Sequence, residues 1–154
     1  MATWAQFERA NPDLAAEARR LLYRSGTGEA LLATVRGDDP PRLHPIWVAV
    51  ADGGLYAFIL RSAKRADLER DGRYALHSHV DPAAPDELSI RGRARRIEDS
   101  ATLARIGGSW YFDVDETYEL FEFDLESAIL GKRETADDWP PRYTIWRAAE
   151  PQPG

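Results

Sequence analysis

The sequence predicts a mainly β protein with a few short helices, in which about six or seven mostly antiparallel strands roll into a barrel. Three observations lead there. Short apolar runs bounded by turn residues follow one another from Glu29 onward, and a tight Asp52-Gly53-Gly54 turn joins two of them. A chain of 154 residues is the size of one domain with one core, so a single domain over residues 1–154 is expected. Closure follows because an open sheet of this size exposes two unpaired edges.

Asn11 reads as an N-cap and Pro12 as the first helical residue. Leu14, Ala18, Leu21 and Leu22 continue at helical spacing until Gly26, which predicts a helix over about residues 12–25. Strands follow at Ala30 to Arg36, Leu43 to Ala51 and Leu55 to Leu60, the first two separated by Asp38-Asp39-Pro40-Pro41. The third is apolar on both faces, as befits a strand packed inside a barrel and against a helix or a second subunit. Ser62 and Gly72 bracket a helix of about two turns. Strands at Tyr74 to Val80 and Glu87 to Glu98 flank a loop with Pro82 and Pro85. Ser100 to Ile106 reads as a short helix ended by Gly107-Gly108, and strands at Tyr118 to Leu130 and Tyr143 to Arg147 complete the set around a loop with Trp139-Pro140-Pro141. The tail over residues 150–154 is expected to fray.

Composition narrows the function. A net charge of −6 argues against nucleic acid as a partner, which needs a basic surface. The absence of cysteine removes disulfides, thiolate metal sites and thiol nucleophiles. The first residues hold no apolar leader segment, and no run is long enough for a membrane span, so a cytoplasmic protein is expected. No nucleophile triad and no Walker or Rossmann glycine motif occurs, leaving no catalytic side chain to name.

The chemistry concentrates between Leu60 and Gly72. Arg61, Lys64 and Arg65 crowd the positive end of the predicted helix, while Glu69 and Asp71 lie near its negative end; each placement costs about 0.3–1 kcal/mol at a surface. Free backbone N–H groups, a serine hydroxyl and several cations there form an anion site, and a phosphate reverses the penalty. The plainer reading is a solvated helix whose cations pair with acids elsewhere.

The runs Gly28-Glu-Ala-Leu-Leu-Ala-Thr-Val-Arg36, Arg42-Leu-His-Pro-Ile-Trp47, Gly53-Gly-Leu-Tyr-Ala-Phe58, Ser62-Ala-Lys-Arg-Ala-Asp-Leu-Glu-Arg-Asp71 and Leu88-Ser-Ile-Arg-Gly-Arg-Ala94 carry a resemblance. In order and content they resemble the pyridoxamine 5'-phosphate oxidase-like superfamily of FMN-binding split β-barrels, over roughly residues 28 to 98. The resemblance implies that Ser62 and Lys64 hold a cofactor phosphate, helped by Arg61 or Arg65. It implies that a flavin ring lies along the second and third strands, near His44, Pro45, Ile46 and Trp47 and near Phe58, Ile59 and Leu60. Asp67 stands where many relatives have asparagine, and Asp71-Gly72-Arg73 replaces the commoner Asp-Pro-Arg. Where the true oxidases carry an arginine-leucine-x-proline substrate motif, this chain has Thr144-Ile-Trp-Arg-Ala-Ala149, so the resemblance stops short of vitamin B6 chemistry.

The implied function is an FMN-dependent oxidoreductase that transfers hydride at flavin N5 to or from a small molecule. F420 in place of FMN, or a non-catalytic flavin or haem binder, are the alternatives. Arg91, Arg93 and Arg95 alternate along one strand and read either as a solvated face or as a second anion surface next to the flavin site, suited to a phosphorylated substrate or the polyglutamate tail of F420, with Arg91 counted among the cofactor-binding residues. His77 and His79 share a strand face without a third ligand in view, so no metal site is expected. The two-faced apolar strand, together with 5 Trp, 6 Tyr and 5 Phe against three short helices, predicts a homodimer with cofactor sites at its interface. Partner residues are expected on the Arg91 to Arg95 strand and around Trp139 to Arg147.

Overall fold

The computed structural model describes residues 1–150. The expected fraying at residues 151–154 lies outside them. Among the described residues every strand pairing is antiparallel, and eight strands stand where about six or seven are expected.

The chain opens with a helix beyond those expected, α1 (Trp4–Ala10), followed by α2 (Pro12–Leu22). Thr3 and Gln6 form a reciprocal capping box at the start of α1, with the Thr3 N–H donating to Gln6 Oε1 at 2.8 Å and the Gln6 N–H to Thr3 Oγ1 at 3.3 Å. Asn11 caps α2 as the sequence predicts. Trp4 and Phe7 of α1 are fully buried, and Phe7 packs on Trp146 with ring centroids 4.7 Å apart.

Next come β1 (Glu29–Thr34), β2 (Arg42–Trp47), β3 (Ala49–Ala51) and β4 (Gly54–Ile59), then α3 (Ala63–Arg70) and β5 (Arg73–His77). The remainder is β6 (Glu87–Ile97), α4 (Ser100–Gly108), β7 (Glu119–Lys132) and β8 (Arg142–Arg147). The predicted strand from Leu43 to Ala51 is two strands, broken at Val48. Tyr111 fastens the break: its hydroxyl accepts from the Gly28 N–H at 3.0 Å and donates to the Val48 carbonyl at 2.6 Å. In the β3–β4 hairpin Asp52 and Gly53 both have positive φ, 47° and 76°, the twist a two-residue turn needs.

Hydrogen bonding runs in the order β2-β1-β5-β6-β7-β4-β3, with β8 also on β7. The ladder is not closed, because no pairing joins β2 to β3. Since these two are one stretch of chain, the sheet still curls into a barrel with a split. Strand β7 forms its spine. One edge pairs with β6 throughout; the other is shared, with Glu119–Glu122 on β4, Ala2 bridging Leu125, and Ser127–Lys132 on β8. A bulge between Arg91 and Gly92 lets Leu125 and Ser127 face consecutive β6 residues. Buried core positions on β7 therefore change from Phe121, Phe123 and Leu125 to Ala128 and Leu130. Glycine is required at the bulge, since a Cβ on Gly92 would lie 1.9 Å from the Asp124 carbonyl oxygen.

All six residues of β4 are buried within the one chain. Leu55, Ala57 and Ile59 face the main core, while Tyr56 and Phe58 face a second cluster with Ile97, Ile106 and Leu120 under α4. Of the two coverings expected for this strand, a helix or a second subunit, the helix α4 supplies one within the chain. No helix of the described residues is long and apolar enough to cross a membrane.

Candidate functional site

The split lies between β2 and the end of β4. Strand β2 pairs with β1 on one edge only, and β4 beyond Tyr56 pairs with β7 only, so two unpaired backbone edges border the gap. Helix α3 starts at its mouth. Ser62 is extended (φ −165°, ψ 170°) and caps the helix, its Oγ accepting from the Arg65 N–H at 3.3 Å and donating to the Leu60 carbonyl at 2.9 Å. The N–H groups of Ala63 and Lys64 have no partner within the helix, as at any first turn.

The cations around this turn separate into two kinds. Arg65 is committed internally: its Nε lies 3.1 Å from Glu69 and 3.3 Å from Glu119, and its Nη1 donates to the Thr117 carbonyl at 3.0 Å. Among the described residues Arg61 and Lys64 make no ion pair. Arg61 is exposed and Lys64 half-buried. The reversed charge pattern in the sequence is thus half structural, through Arg65, and half uncompensated.

Alternation along β2 brings Arg42, His44 and Ile46 to the side facing α3 and the core, and turns Leu43, Pro45 and Trp47 outward. Beneath the helix Asp67 is 2% exposed; the Thr34 hydroxyl donates to it at 2.9 Å and Arg42 Nε lies 3.1 Å away. This network ties α3 to β1 and β2. Arg42, Thr34 and Asp67 are site-building residues that sequence reasoning passed over, although the two-residue period from His44 points at Arg42. His44 Nε2 is buried without a hydrogen-bond partner. Burial, and then the nearby Lys64, hold the His44 imidazolium below the ordinary histidine range, against the opposing pull of Asp67.

Other predicted residues fall around this centre. Ile59 and Ile46 are buried, so they offer the gap backbone more than side chain; Leu60 is 47% exposed beside it. Trp47 is 46% exposed and rests on Tyr111 and Phe112, with ring centroids 6.0 and 5.3 Å away. With Glu29, Pro45, Ile46 and His79 it lines a hollow of about 470 Å³. Arg91 stands apart within one chain, on the outer face 3.6 Å from Glu126. Arg95 is bound by Glu122 and Asp124, and Arg93 donates to the Asp71 carbonyl at 2.9 Å, so this strand face is largely satisfied by its own neighbours. No group of three or more metal-ligating side chains occurs among the described residues.

The arrangement suits a planar ligand with an anionic tail. The tail would meet the α3 turn, and the ring would lie along two unpaired strand edges. Comparison with known proteins gives the lineage. The family model described as pyridoxamine 5'-phosphate oxidase matches residues 14–132. No curated protein matches the chain in sequence. Among solved structures, PhzG from Burkholderia lata 383, in complex with tetrahydrophenazine-1-carboxylic acid, aligns with a TM-score of 0.66 at 12% identity, covering 92% of this chain and 91% of that one. General Stress Protein 26 from Bacillus anthracis aligns at 0.59 and 18% identity, covering 86% and 99%. A heme binding protein from Mycobacterium smegmatis aligns at 0.63 and 17% identity, covering 89% of this chain and 59% of that protein. With more than half of its length matched and its sheet built as a split barrel, the chain belongs to the pyridoxamine 5'-phosphate oxidase-like family.

Proposed function

We propose that this protein is an FMN-dependent oxidoreductase acting on a small molecule, with its cofactor in the split between β2 and β4. The observation that carries the reading is the pairing of Arg61 and Lys64, which make no ion pair among the described residues, with the capped first turn of α3 at the mouth of that split. The orphaned Nε2 of His44 on the same side fits a site that expects a further polar partner. When bound, the flavin supplies hydride transfer at N5.

The chain's own residues bind and orient. Ser62 holds the helix start open, Lys64 and Arg61 neutralise the phosphate, and Asp67 fixes α3 against Thr34 and Arg42 so that Lys64 stays aimed at the split. The backbone of Pro45 to Trp47 and of Phe58 to Leu60 borders the ring, and Trp47 screens one end from water. No side chain is required to act as acid or base.

The same reading makes the protein a homodimer. Across the outer face the register places Pro45, Leu31, His77, Ser89, Ile129 and Ile145 in one row. Leu43, Tyr143 and Ile145 are at least half exposed, at 66%, 53% and 50%. A two-fold partner would cover this face and bring its Arg91 toward the cofactor. The heme binding relative supports haem as a second reading. The visible spectrum of purified protein, with released chromophore identified by mass, tests both: twin flavin bands and FMN support the proposal, a single deazaflavin band assigns F420, and a Soret band assigns haem. A protein that is colourless and fails to take up FMN would sink the proposal.

A further inference from the structure

The hollow of about 470 Å³ beside Trp47 has the size of a small-molecule site, and strand register builds it. Trp47 ends β2 directly opposite Glu29, the first residue of β1. Leu31 pairs with His77, so two residues further along each line His79 comes to the other side of Glu29. Because Ala30 and Leu32 are buried in the core, alternation turns Glu29 outward, between the rings of Trp47 and His79. All three line the hollow.

Its first distinctive feature is an aromatic surface left open but held still. Trp47 is 46% exposed, yet its ring rests on Tyr111 and Phe112, and the backbone beyond it is fixed where the Tyr111 hydroxyl donates to the Val48 carbonyl. A large ring in water forgoes the burial that would stabilise the fold, and one already fixed loses little freedom when a ligand stacks on it.

The second feature is a carboxylate without a partner. Glu29 is half-buried and, among the described residues, its side chain makes no ion pair and accepts no hydrogen bond, although both of its oxygens are reachable from solvent. Every other acid on a strand has a partner: Glu87 has the Tyr143 hydroxyl, Glu119 has Arg65 and Arg96, Glu122 and Asp124 have Arg95, and Glu126 has Arg91. Arg24, the cation of an adjoining hollow of about 230 Å³ that shares Glu29 and His79, is taken up by the carbonyls of His79, Ala84 and Asp86. Glu29 is thus an open acceptor between two flat rings.

We propose that this hollow is the substrate pocket of the flavin site, taking a planar nitrogen heterocycle that stacks on Trp47 and donates N–H groups to the Glu29 carboxylate. A carboxylate offers two acceptors in one plane, so the matching edge carries two adjacent donors, a ring N–H beside an amino group. The same charge repels planar acids. Its role as a substrate pocket rests on the flavin reading, through the Pro45 to Trp47 backbone that the flavin ring and the hollow share; binding in the hollow does not.

The test titrates the purified full chain, with and without FMN, with 2-aminobenzimidazole and with naphthalene-2-carboxylate, following the Trp47 indole N–H and the His79 ring resonances. 2-Aminobenzimidazole should saturate both shifts and bind about ten-fold or more tighter than the carboxylate, the span of a charge-assisted hydrogen bond. Glu29→Gln should erase that preference with the melting temperature unchanged, because Glu29 holds no partner in the fold. Trp47→Leu should weaken both ligands. Equal binding of the two probes in the parent, a preference that survives in Glu29→Gln, or no shift at millimolar ligand overturns the proposal. So does a dimer that falls apart in Trp47→Leu, which would make a second copy of the chain the occupant. Uptake of FMN separates the two readings: a chain that takes up FMN but not the heterocycle loses only the pocket, and one that binds the heterocycle but not FMN keeps the binding site and overturns its role as a substrate pocket.

Discussion

Replacing Asp67 tests how the site is held in place. Asp67→Ala removes the acceptor of the Thr34 hydroxyl, which is itself 0% exposed, so that hydroxyl loses its only partner and costs about 1–3 kcal/mol. The ion pair with Arg42 adds less, about 1 kcal/mol at most, because the Arg42 side chain is 43% exposed and water screens it. The sum is about 1–4 kcal/mol, or roughly 3–12 °C in melting temperature for a chain of this size. Asp67→Asn keeps an oxygen for Thr34 and loses only the charge, so it should cost about 1 kcal/mol. Urea unfolding at pH 7, followed by tryptophan fluorescence and extrapolated linearly, gives both numbers. If Asp67→Ala lies within about 0.5 kcal/mol of the parent, or the asparagine variant falls as far as the alanine, Asp67 does not anchor α3 as argued.

Gly92→Ala should destabilise by about 1–3 kcal/mol, because its Cβ meets the Asp124 carbonyl and the bulge must shift, whereas Gly108→Ala should stabilise by about 0.5–1 kcal/mol; thermal melts of the two together separate required from dispensable glycine. NMR titration without cofactor should place the His44 midpoint below the ordinary 6.5. The sign follows: the unfolded chain binds this proton more readily, so the stability His44 contributes is present above that value and is lost as pH falls through the folded midpoint. Adding FMN should raise the midpoint, and an unmoved His44 would remove it from the site. Light scattering of Leu43→Glu/Ile145→Lys should show a monomer with weakened FMN binding; a dimer that persists would place the interface elsewhere.

Much of this fold was written locally. Asn11-Pro12, Ser62 with Gly72, and Asp52-Gly53 announce a helix start, a capped helix and a hairpin, because each depends on a few neighbouring residues. The Thr3-x-x-Gln6 box was equally legible and marks α1. Other features were not local. The break at Val48 depends on Tyr111, 63 residues away, and the bulge in β7 depends on its register with β6. Likewise charge order alone cannot say that Arg65 is spent on Glu69 and Glu119 while Lys64 is not, since Glu119 comes from another element. The burial of β4 shows the same limit: two apolar faces are visible in sequence, but that α4 covers one of them is a fact of topology.

The central claim is that the first turn of α3 grips a phosphate, and comparing FMN with riboflavin, which lacks only that group, tests it most directly. Equilibrium titration of the parent should show FMN binding at least about ten-fold tighter than riboflavin, the equivalent of a charge-assisted hydrogen bond of about 1.5–3 kcal/mol. Lys64→Ala should collapse that difference while leaving riboflavin affinity and the stability of the cofactor-free protein unchanged. Equal affinities for FMN and riboflavin in the parent, or a preference that survives in Lys64→Ala, would contradict it.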